Sequence, residues 1–171
     1  MAGAGTDRLN SAQGFVPIPL WVKSNYSFLE AASDPEELVA RAAEAGYPSI
    51  ALTDRDSLGG IVRAMGAATE AGITLIVGSE ITIGDGSAVL ALCRDRCGYA
   101  NLCQLISAGR LRNPKGSCSV HWDEVLASSE GLELVILQFG EHSNRSALCS
   151  ELVATLGRRV RMGVARHFSP E

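Results

Sequence analysis

Several features are scarce in this 171-residue sequence, and each scarcity argues against a particular class of protein or site. Aromatic residues make up only 5%, and 15 basic residues against 19 acidic ones leave a net charge of −4. A stand-alone nucleic-acid-binding domain usually carries a basic surface, so tight direct binding to DNA is not expected. No C-x-x-C pair occurs among the five cysteines, which gives no support to a zinc ribbon or a thioredoxin-like motif. We expect buried, reduced thiols and no disulfide.

Long apolar runs and targeting signals are also missing. Residues Met1 to Gly14 are small and polar, without a basic start followed by an apolar run, so they do not resemble a signal peptide. We expect them to form a flexible lead-in. No apolar stretch approaches the length of a membrane span. The sequence therefore predicts a cytoplasmic protein with no membrane partner.

The remaining composition is that of a globular domain, with 46% hydrophobic and 20% charged residues. Asp34, Pro35 and Glu37 form a strong helix start, and Gly46 is placed to end that helix. A strand is predicted over 49–53 and a buried strand over 75–78. Between them a helix is predicted from about Leu58 to Gly72, with Leu58, Ile61, Val62 and Met65 at helical spacing. This alternation of strands and helices favours an α/β fold with parallel strands, either an open sheet or a barrel.

The second half continues the same pattern. The predicted elements are a strand over 89–93, a helix over 99–110, a loop over 113–116, a short helix over 122–127, a strand over 132–137, a helix over 146–156 and an alternating strand over 159–165. In the helix over 99–110, Leu102, Leu105 and Ile106 are expected to point inward. In the last strand, Val160, Met162 and Val164 are expected to share one face. The sequence ends at Glu171 without a terminal cap, so we expect a fragment of a longer protein.

Polar residues follow several predicted strands, and these positions are candidate site residues. They are Lys23, Ser24, Asn25 and Glu30, then Asp54, Arg55 and Asp56, then Glu80, and finally His167. Three carboxylates and a histidine at one edge of a sheet could bind a divalent metal. The same residues could instead be helix caps and surface ion pairs. Spacing alone favours this second interpretation.

The motifs in these segments resemble those of a known family. The segment Leu20 to Glu30 (LWVKSNYSFLE), the segment Ala51 to Asp56 (ALTDRD) and the segment Ile76 to Glu80 (IVGSE) occur in order. They are followed by Arg94 to Leu102 (RDRCGYANL) and by Pro114 to Gly116 (PKG). Together they resemble the PHP domain of bacterial C-family DNA polymerases, the group of the DNA polymerase III alpha subunit and the error-prone DNA polymerases. The Trp-Val-Lys-Ser-Asn opening is closer to the error-prone branch.

The resemblance implies a PHP-type distorted (β/α) barrel over residues 15–171, incomplete at its C-terminus. It also implies where the family binds metal, and this chain departs from that pattern. Trp21 and Lys23 stand where the family has two histidines, Arg55 stands where it has a third, and Ala88 replaces a fourth. Charged lysine and arginine cannot ligate a cation. The resemblance therefore implies a degenerate site in which Lys23 and Arg55 neutralise Asp54 and Glu80.

The positions expected to be vestiges of this metal site are Trp21, Lys23, Glu30, Asp54, Arg55, Glu80 and His167. We expect no metal, no other cofactor and no catalytic residue in this chain. By resemblance it is part of a nucleotidyltransferase for DNA replication and translesion repair. In that setting it is a structural and interaction module whose partner is the remainder of the polymerase. DNA contact is expected only through the polymerase, with no small-molecule substrate. The alternative is a stand-alone PHP-family metal-dependent phosphoesterase.

Overall fold

The computed structural model describes residues 16–140 and 145–163 of the chain. The predicted lead-in over 1–14 and the candidate His167 lie outside these residues. The elements are α1 (Pro35–Glu44), β1 (Ser49–Leu52), α2 (Ile61–Ala71), β2 (Thr74–Thr82), β3 (Ala88–Cys93), α3 (Arg96–Arg112), α4 (Trp122–Ala127), β4 (Leu132–Gln138), α5 (Arg145–Leu156) and β5 (Val160–Met162). Every predicted helix and strand that lies in the described residues is present, with shifts at the ends.

The strands form one open sheet in the order β1-β2-β3-β4-β5. The pairs β1–β2 and β4–β5 are parallel, whereas β3 is antiparallel to both of its neighbours. Four of the five strands therefore run in the same direction, which confirms the expected α/β class. The reversal of β3 was not predicted, although Gly84-Asp85-Gly86-Ser87 is a hairpin signal. Gly86 has φ +85° and its N–H donates to the carbonyl of Ile83, which closes the turn.

The helix ends follow local signals. Asp34 and Glu37 form a capping box at the start of α1, with Pro35 at the first helical position, as predicted. Gly46 follows α1 with φ +81°, a conformation that ends a helix and that glycine adopts without strain. The helix α2 begins at Ile61, three residues later than predicted.

The predicted inward face of α2 is wrong in part. The buried residues are Ile61, Ala64 and Ala68, whereas Val62 and Met65 are exposed. Small side chains let α2 approach α1 closely, and this close packing selects the alanine face rather than the larger apolar residues. Met162 of β5 is also exposed.

Two apolar clusters hold the helices on the sheet. One joins α1 and α2 to β1 and the first part of β2, and it includes Val39, Ile50, Leu52 and Leu75. The other joins α3, α4 and α5 to β3, β4 and the end of β2. In α3 the predicted inward residues Leu102, Leu105 and Ile106 are all buried. Both clusters leave the carboxyl ends of β1 and β2 to polar side chains, and the candidate site lies there.

Candidate functional site

The segment before the first helix lies along the free side of β1. The N–H of Ala51 donates to the carbonyl of Pro19 (2.9 Å), and the N–H of Thr53 donates to the carbonyl of Val22 (2.8 Å). The buried Thr53 hydroxyl also accepts from the N–H of Val22 (3.0 Å). Pro17 and Pro19 keep this segment extended. Its extended path brings Trp21 and Lys23 to the strand ends.

Glu80 is the centre of the site. Its carboxylate is only 3% exposed, and it lies within β2 rather than after it. Oε2 accepts from Trp21 Nε1 (2.6 Å) and from Lys23 Nζ (3.0 Å), whereas Oε1 accepts from Arg55 Nε (3.0 Å). Both oxygens of Glu80 are therefore bound to protein donors, two of which carry positive charge.

A second carboxylate, that of Glu30, completes this network. It pairs with Lys23 Nζ and, through Oε1, with Arg55 Nη1 (2.6 Å). Lys23 Nζ also lies 5.7 Å from the centre of the Trp21 ring, within cation–π range. We call Trp21, Lys23, Glu30, Arg55 and Glu80 the Glu80 network. Its four charges cancel, so it can remain partly buried without an added ion.

Asp54 is held in a different way from the one expected. It is 1% exposed, and its oxygens accept from the Ser24 N–H, the Ser24 hydroxyl and the Ser27 hydroxyl, each at 2.7 Å. The expected proximity of Lys23 and Arg55 is thus found at Glu80, but no ion pair between them and Asp54 occurs in the described residues. The reason is that the loop after Lys23 folds back over β1 and supplies neutral donors first.

Asp56 joins the site to α3. It is buried in a left-handed conformation (φ +48°), and its carboxylate accepts from the Thr82 N–H (2.9 Å) and the Thr82 hydroxyl (2.7 Å). Its backbone carbonyl accepts from Arg110 Nε (3.1 Å) and Nη2 (2.7 Å). Burial raises the pKa of Asp56, and the hydrogen bonds from Thr82 only partly oppose this shift.

Four supporting residues were not assigned a role from the sequence: Ser24, Ser27, Thr82 and Arg110. The position of Ser24 near a strand end made it a candidate, but its bond to Asp54 was not predicted. Ser27 and Thr82 carry no signal beyond being hydroxyl residues near a strand end. Arg110 lies 54 residues from Asp56, and no sequence pattern connects them. These contacts depend on the tertiary fold.

The residues present do not fit the metal centre that the resemblance implies. Both oxygens of Glu80 accept from N–H donors, and both oxygens of Asp54 accept from serine. Lysine and arginine offer a cation no lone pair. Within 16–140 and 145–163, no three histidine, cysteine, aspartate or glutamate residues are placed to hold one ion.

Comparison with known proteins places these residues in a family. The model of the PHP domain family matches residues 20–154, which is most of the chain. This chain belongs to the PHP domain family. The match includes Trp21, Lys23, Glu30, Asp54, Arg55 and Glu80, so the Glu80 network lies inside the family domain.

The curated relatives are polymerases. Error-prone DNA polymerase 1 of Rhizobium meliloti is 36% identical over 154 residues, covering 87% of this chain and 14% of the relative. The error-prone DNA polymerase of Dechloromonas aromatica is 40% identical over 151 residues, covering 86% and 15%. That of Rhodopirellula baltica is 40% identical over 115 residues, covering 67% and 10%. The chain thus spans only about a tenth to a seventh of the length of these relatives.

Solved structures show the same fold. An amidohydrolase from Chromobacterium violaceum, with bound sulfate and no metal, aligns with a TM-score of 0.53 at 20% identity, covering 80% of this chain and 72% of that chain. A two-domain protein from Bacteroides vulgatus, described as containing a predicted PHP-like metal-dependent phosphoesterase, aligns with a TM-score of 0.50 at 16% identity. That alignment covers 78% of this chain and 41% of the other. At these identities the likeness concerns the fold only.

No helix in the described residues is long and apolar enough to cross a membrane.

Proposed function

We propose that residues 15–171 are the PHP domain of an error-prone DNA polymerase, acting in the cytoplasm as a structural and interaction module. Replication and translesion repair synthesis are then activities of the whole polymerase, which is also the partner of this domain. The curated relatives support the polymerase context, since all three compared above are error-prone polymerases. The observation that carries the structural role is the Glu80 network.

The Glu80 network occupies the positions that the family uses for metal. A metal ion would neutralise the carboxylates and cross-link the segments that carry them. Lys23 and Arg55 supply the same two effects, because each contacts both Glu80 and Glu30. The network joins the entering segment, the following loop, β1 and β2. We infer that covalently attached cations took over the structural part of the metal's role, and that hydrolytic chemistry was lost with the histidine ligands.

Metal content tests this proposal directly. The full 171-residue chain is dialysed against zinc, manganese or magnesium, and bound metal is then measured by elemental analysis. We expect less than stoichiometric metal for the parent and for Arg55→His, because Trp21 and Lys23 still replace the first two ligands. Arg41→His is the matched control, since Arg41 forms only an exposed pair with Glu44. One tightly bound metal per parent chain would contradict the proposal.

Activity assays distinguish a structural and interaction module from a stand-alone phosphoesterase. The chain is assayed for primer extension, for digestion of DNA from the 3′ end and for hydrolysis of p-nitrophenyl phosphate with added metal. We expect none of the three above the buffer control. Metal-dependent hydrolysis that disappears in Glu80→Gln would establish the phosphoesterase instead. Genomic sequence following the codon for Glu171 tests the polymerase context separately, since it is expected to encode polymerase motifs in the same frame.

A further inference from the structure

The strand β2 has one half-edge that no described strand covers. On one side, Thr74 to Val77 pair with β1. On the other side, β3 pairs only with Gly78 to Thr82, because its last ladder partner is Leu92 and the chain then turns into α3. Within residues 16–140 and 145–163, no strand pairs with Thr74–Val77 on this second side. An edge of this kind is a template for another extended chain.

The backbone direction shows which groups are available. The N–H of Thr74 donates to Pro48 and the N–H of Glu80 donates to Asp54, both toward β1. The N–H and C=O groups of one residue point to the same side of a strand, and those of the next residue point to the opposite side. The N–H and C=O groups of Leu75 and Val77 therefore point away from β1, toward the uncovered side.

This uncovered edge forms the floor of an open groove of about 740 Å³ between α2 and α3. One wall consists of α2 residues, including Val62 (80% exposed) and Met65, and the other includes Cys93 and Tyr99. Burial raises the pKa of the Cys93 thiol to about 11, so this thiol is uncharged at neutral pH. The groove thus combines exposed apolar side chains with available backbone donors and acceptors.

Charge is confined to one end of the groove. Arg94 and Arg96 are exposed at the turn from β3 into α3, where Asp95 already accepts from the N–H of Gly98 as the helix cap. Arg94 has one long ion pair, with Glu133 at 3.7 Å. The lining residues of α2 carry no charge. An occupant with acidic residues at that end is therefore complementary to the groove.

We propose that this groove binds an extended peptide segment of a partner protein, which adds as a strand to Thr74–Val77 and places an acidic residue beside Arg94 and Arg96. Four residues of strand span about 13 Å, so the recognised core is short. A bound helix would contact the apolar walls but would leave the N–H and C=O groups of Leu75 and Val77 without hydrogen-bond partners. An extended segment supplies those partners. This inference does not depend on the polymerase assignment.

Three labelled peptides test the mode of binding to the full 171-residue chain. The first alternates valine and threonine over six residues and carries two glutamates at one end. The second replaces the glutamates by lysines, and the third keeps them but is N-methylated at every second residue, which blocks strand pairing. We expect binding of the first, weaker binding of the second by about threefold to fivefold, and no binding of the third. Slower amide hydrogen exchange at Leu75 and Val77 should accompany binding of the first.

Variants locate the site. Arg96→Glu should weaken binding of the acidic peptide by about threefold to fivefold, and Met65→Glu should abolish binding. Leu111→Glu is the matched control, because Leu111 is 87% exposed on α3 and does not line the groove. Equal binding of the N-methylated peptide would overturn strand addition, as would no binding of any peptide. Dimerisation of the parent that Met65→Glu removes would assign the groove to a second copy and overturn the proposal. The peptide comparison stands even if a variant fails to fold.

Discussion

Asp54 and Glu80 are two buried carboxylates at neighbouring strand ends, and the protein satisfies them by opposite means. Asp54 receives one backbone N–H and two serine hydroxyls, all neutral donors from the loop that follows Lys23. Glu80 receives an indole N–H and two cations, which also bind Glu30. The Asp54 site is a set of hydrogen bonds from neutral donors, whereas the Glu80 site is a network of ion pairs.

The difference lies in which donors reach each carboxylate. Lys23 and Arg55 bring positive charge to Glu80 and Glu30, whereas no ion pair with Asp54 occurs in the described residues. Asp54 is held by neutral donors of the neighbouring loop. Hydrogen bonds to a buried polar group offset its loss of contact with water. The two carboxylates should therefore respond differently to mutation and to salt.

The largest effect is expected at Asp54. Asp54→Ala leaves three buried donors without their acceptor, and we expect a loss of about 4 kcal/mol in the free energy of unfolding. Urea unfolding of the parent and the variant measures this loss. Asp123→Ala, which removes an exposed carboxylate from α4, is the control and should change stability by less than about 0.5 kcal/mol. A loss below about 1 kcal/mol for Asp54→Ala would show that these hydrogen bonds contribute little.

An intermediate effect is expected at Lys23. Lys23→Met removes one of two cations from the buried Glu80 but leaves Arg55 in place, so a loss of about 2 kcal/mol is expected, between the values for buried and exposed pairs. A double-mutant cycle with Glu80→Gln should give a coupling energy of about 1–2 kcal/mol. Arg41→Met, at an exposed pair with Glu44, provides the matched control. Additive effects of Lys23→Met and Glu80→Gln would argue against their ion pair.

Salt concentration should affect the stability contributions of the Glu80 and Asp54 sites differently. Arg55 is 48% exposed, so Arg55→Met should cost about 1 kcal/mol at low ionic strength. This cost should fall by about half in 1 M sodium chloride, because the screening length decreases to about 3 Å. The cost of Asp54→Ala should change little, since its donors are neutral. Equal salt sensitivity of the two variants in urea unfolding would contradict the difference between ion pairs at Glu80 and neutral hydrogen bonds at Asp54.

The smallest effect concerns Asp56. Its folded-state pKa is raised by burial, so its contribution to stability is present below the unfolded-state pKa near 3.8 and is lost as pH rises through the folded-state pKa. Asp56→Asn removes this loss and can still bond to Thr82. We therefore expect the variant to be within about 1 kcal/mol of the parent at pH 4 and to gain relative to it by pH 7. Thermal melting at several pH values checks this, with Asp123→Asn as control. A difference that does not change with pH would contradict the direction of the shift.

Local signals in the sequence were sufficient for much of the fold. The capping box at Asp34 and Glu37 and the stop at Gly46 gave α1 correctly, and apolar spacing gave the inward face of α3. Local patterns failed where packing chose between alternatives. In α2 the alanine face is buried instead of Val62 and Met65, because the neighbouring helix lies close enough to favour small side chains.

The candidate site likewise has some contacts that could be predicted and others that could not. The family resemblance predicted that Lys23 and Arg55 lie close to both Asp54 and Glu80, and the ion pairs with Glu80 are present. The partners of Asp54 could not be assigned, since they depend on how the loop through Ser24 and Ser27 folds back over β1. His167 was also predicted to belong to the site. It lies outside the described residues, and its place there stays a prediction.

The sequence by itself determined the α/β class, the ends of α1 and the residue types at the strand ends, because these depend on periodicity and on contacts between residues close in the chain. Only the tertiary structure decided which donors each buried carboxylate received and how Arg110 reached the carbonyl of Asp56. It also decided that β3 ends early enough to leave part of the edge of β2 without a partner among the described strands. The physical reason is that these features join groups 25 to 60 residues apart in the chain. Their proximity is set by the packing of whole elements, and no local pattern of residues records it.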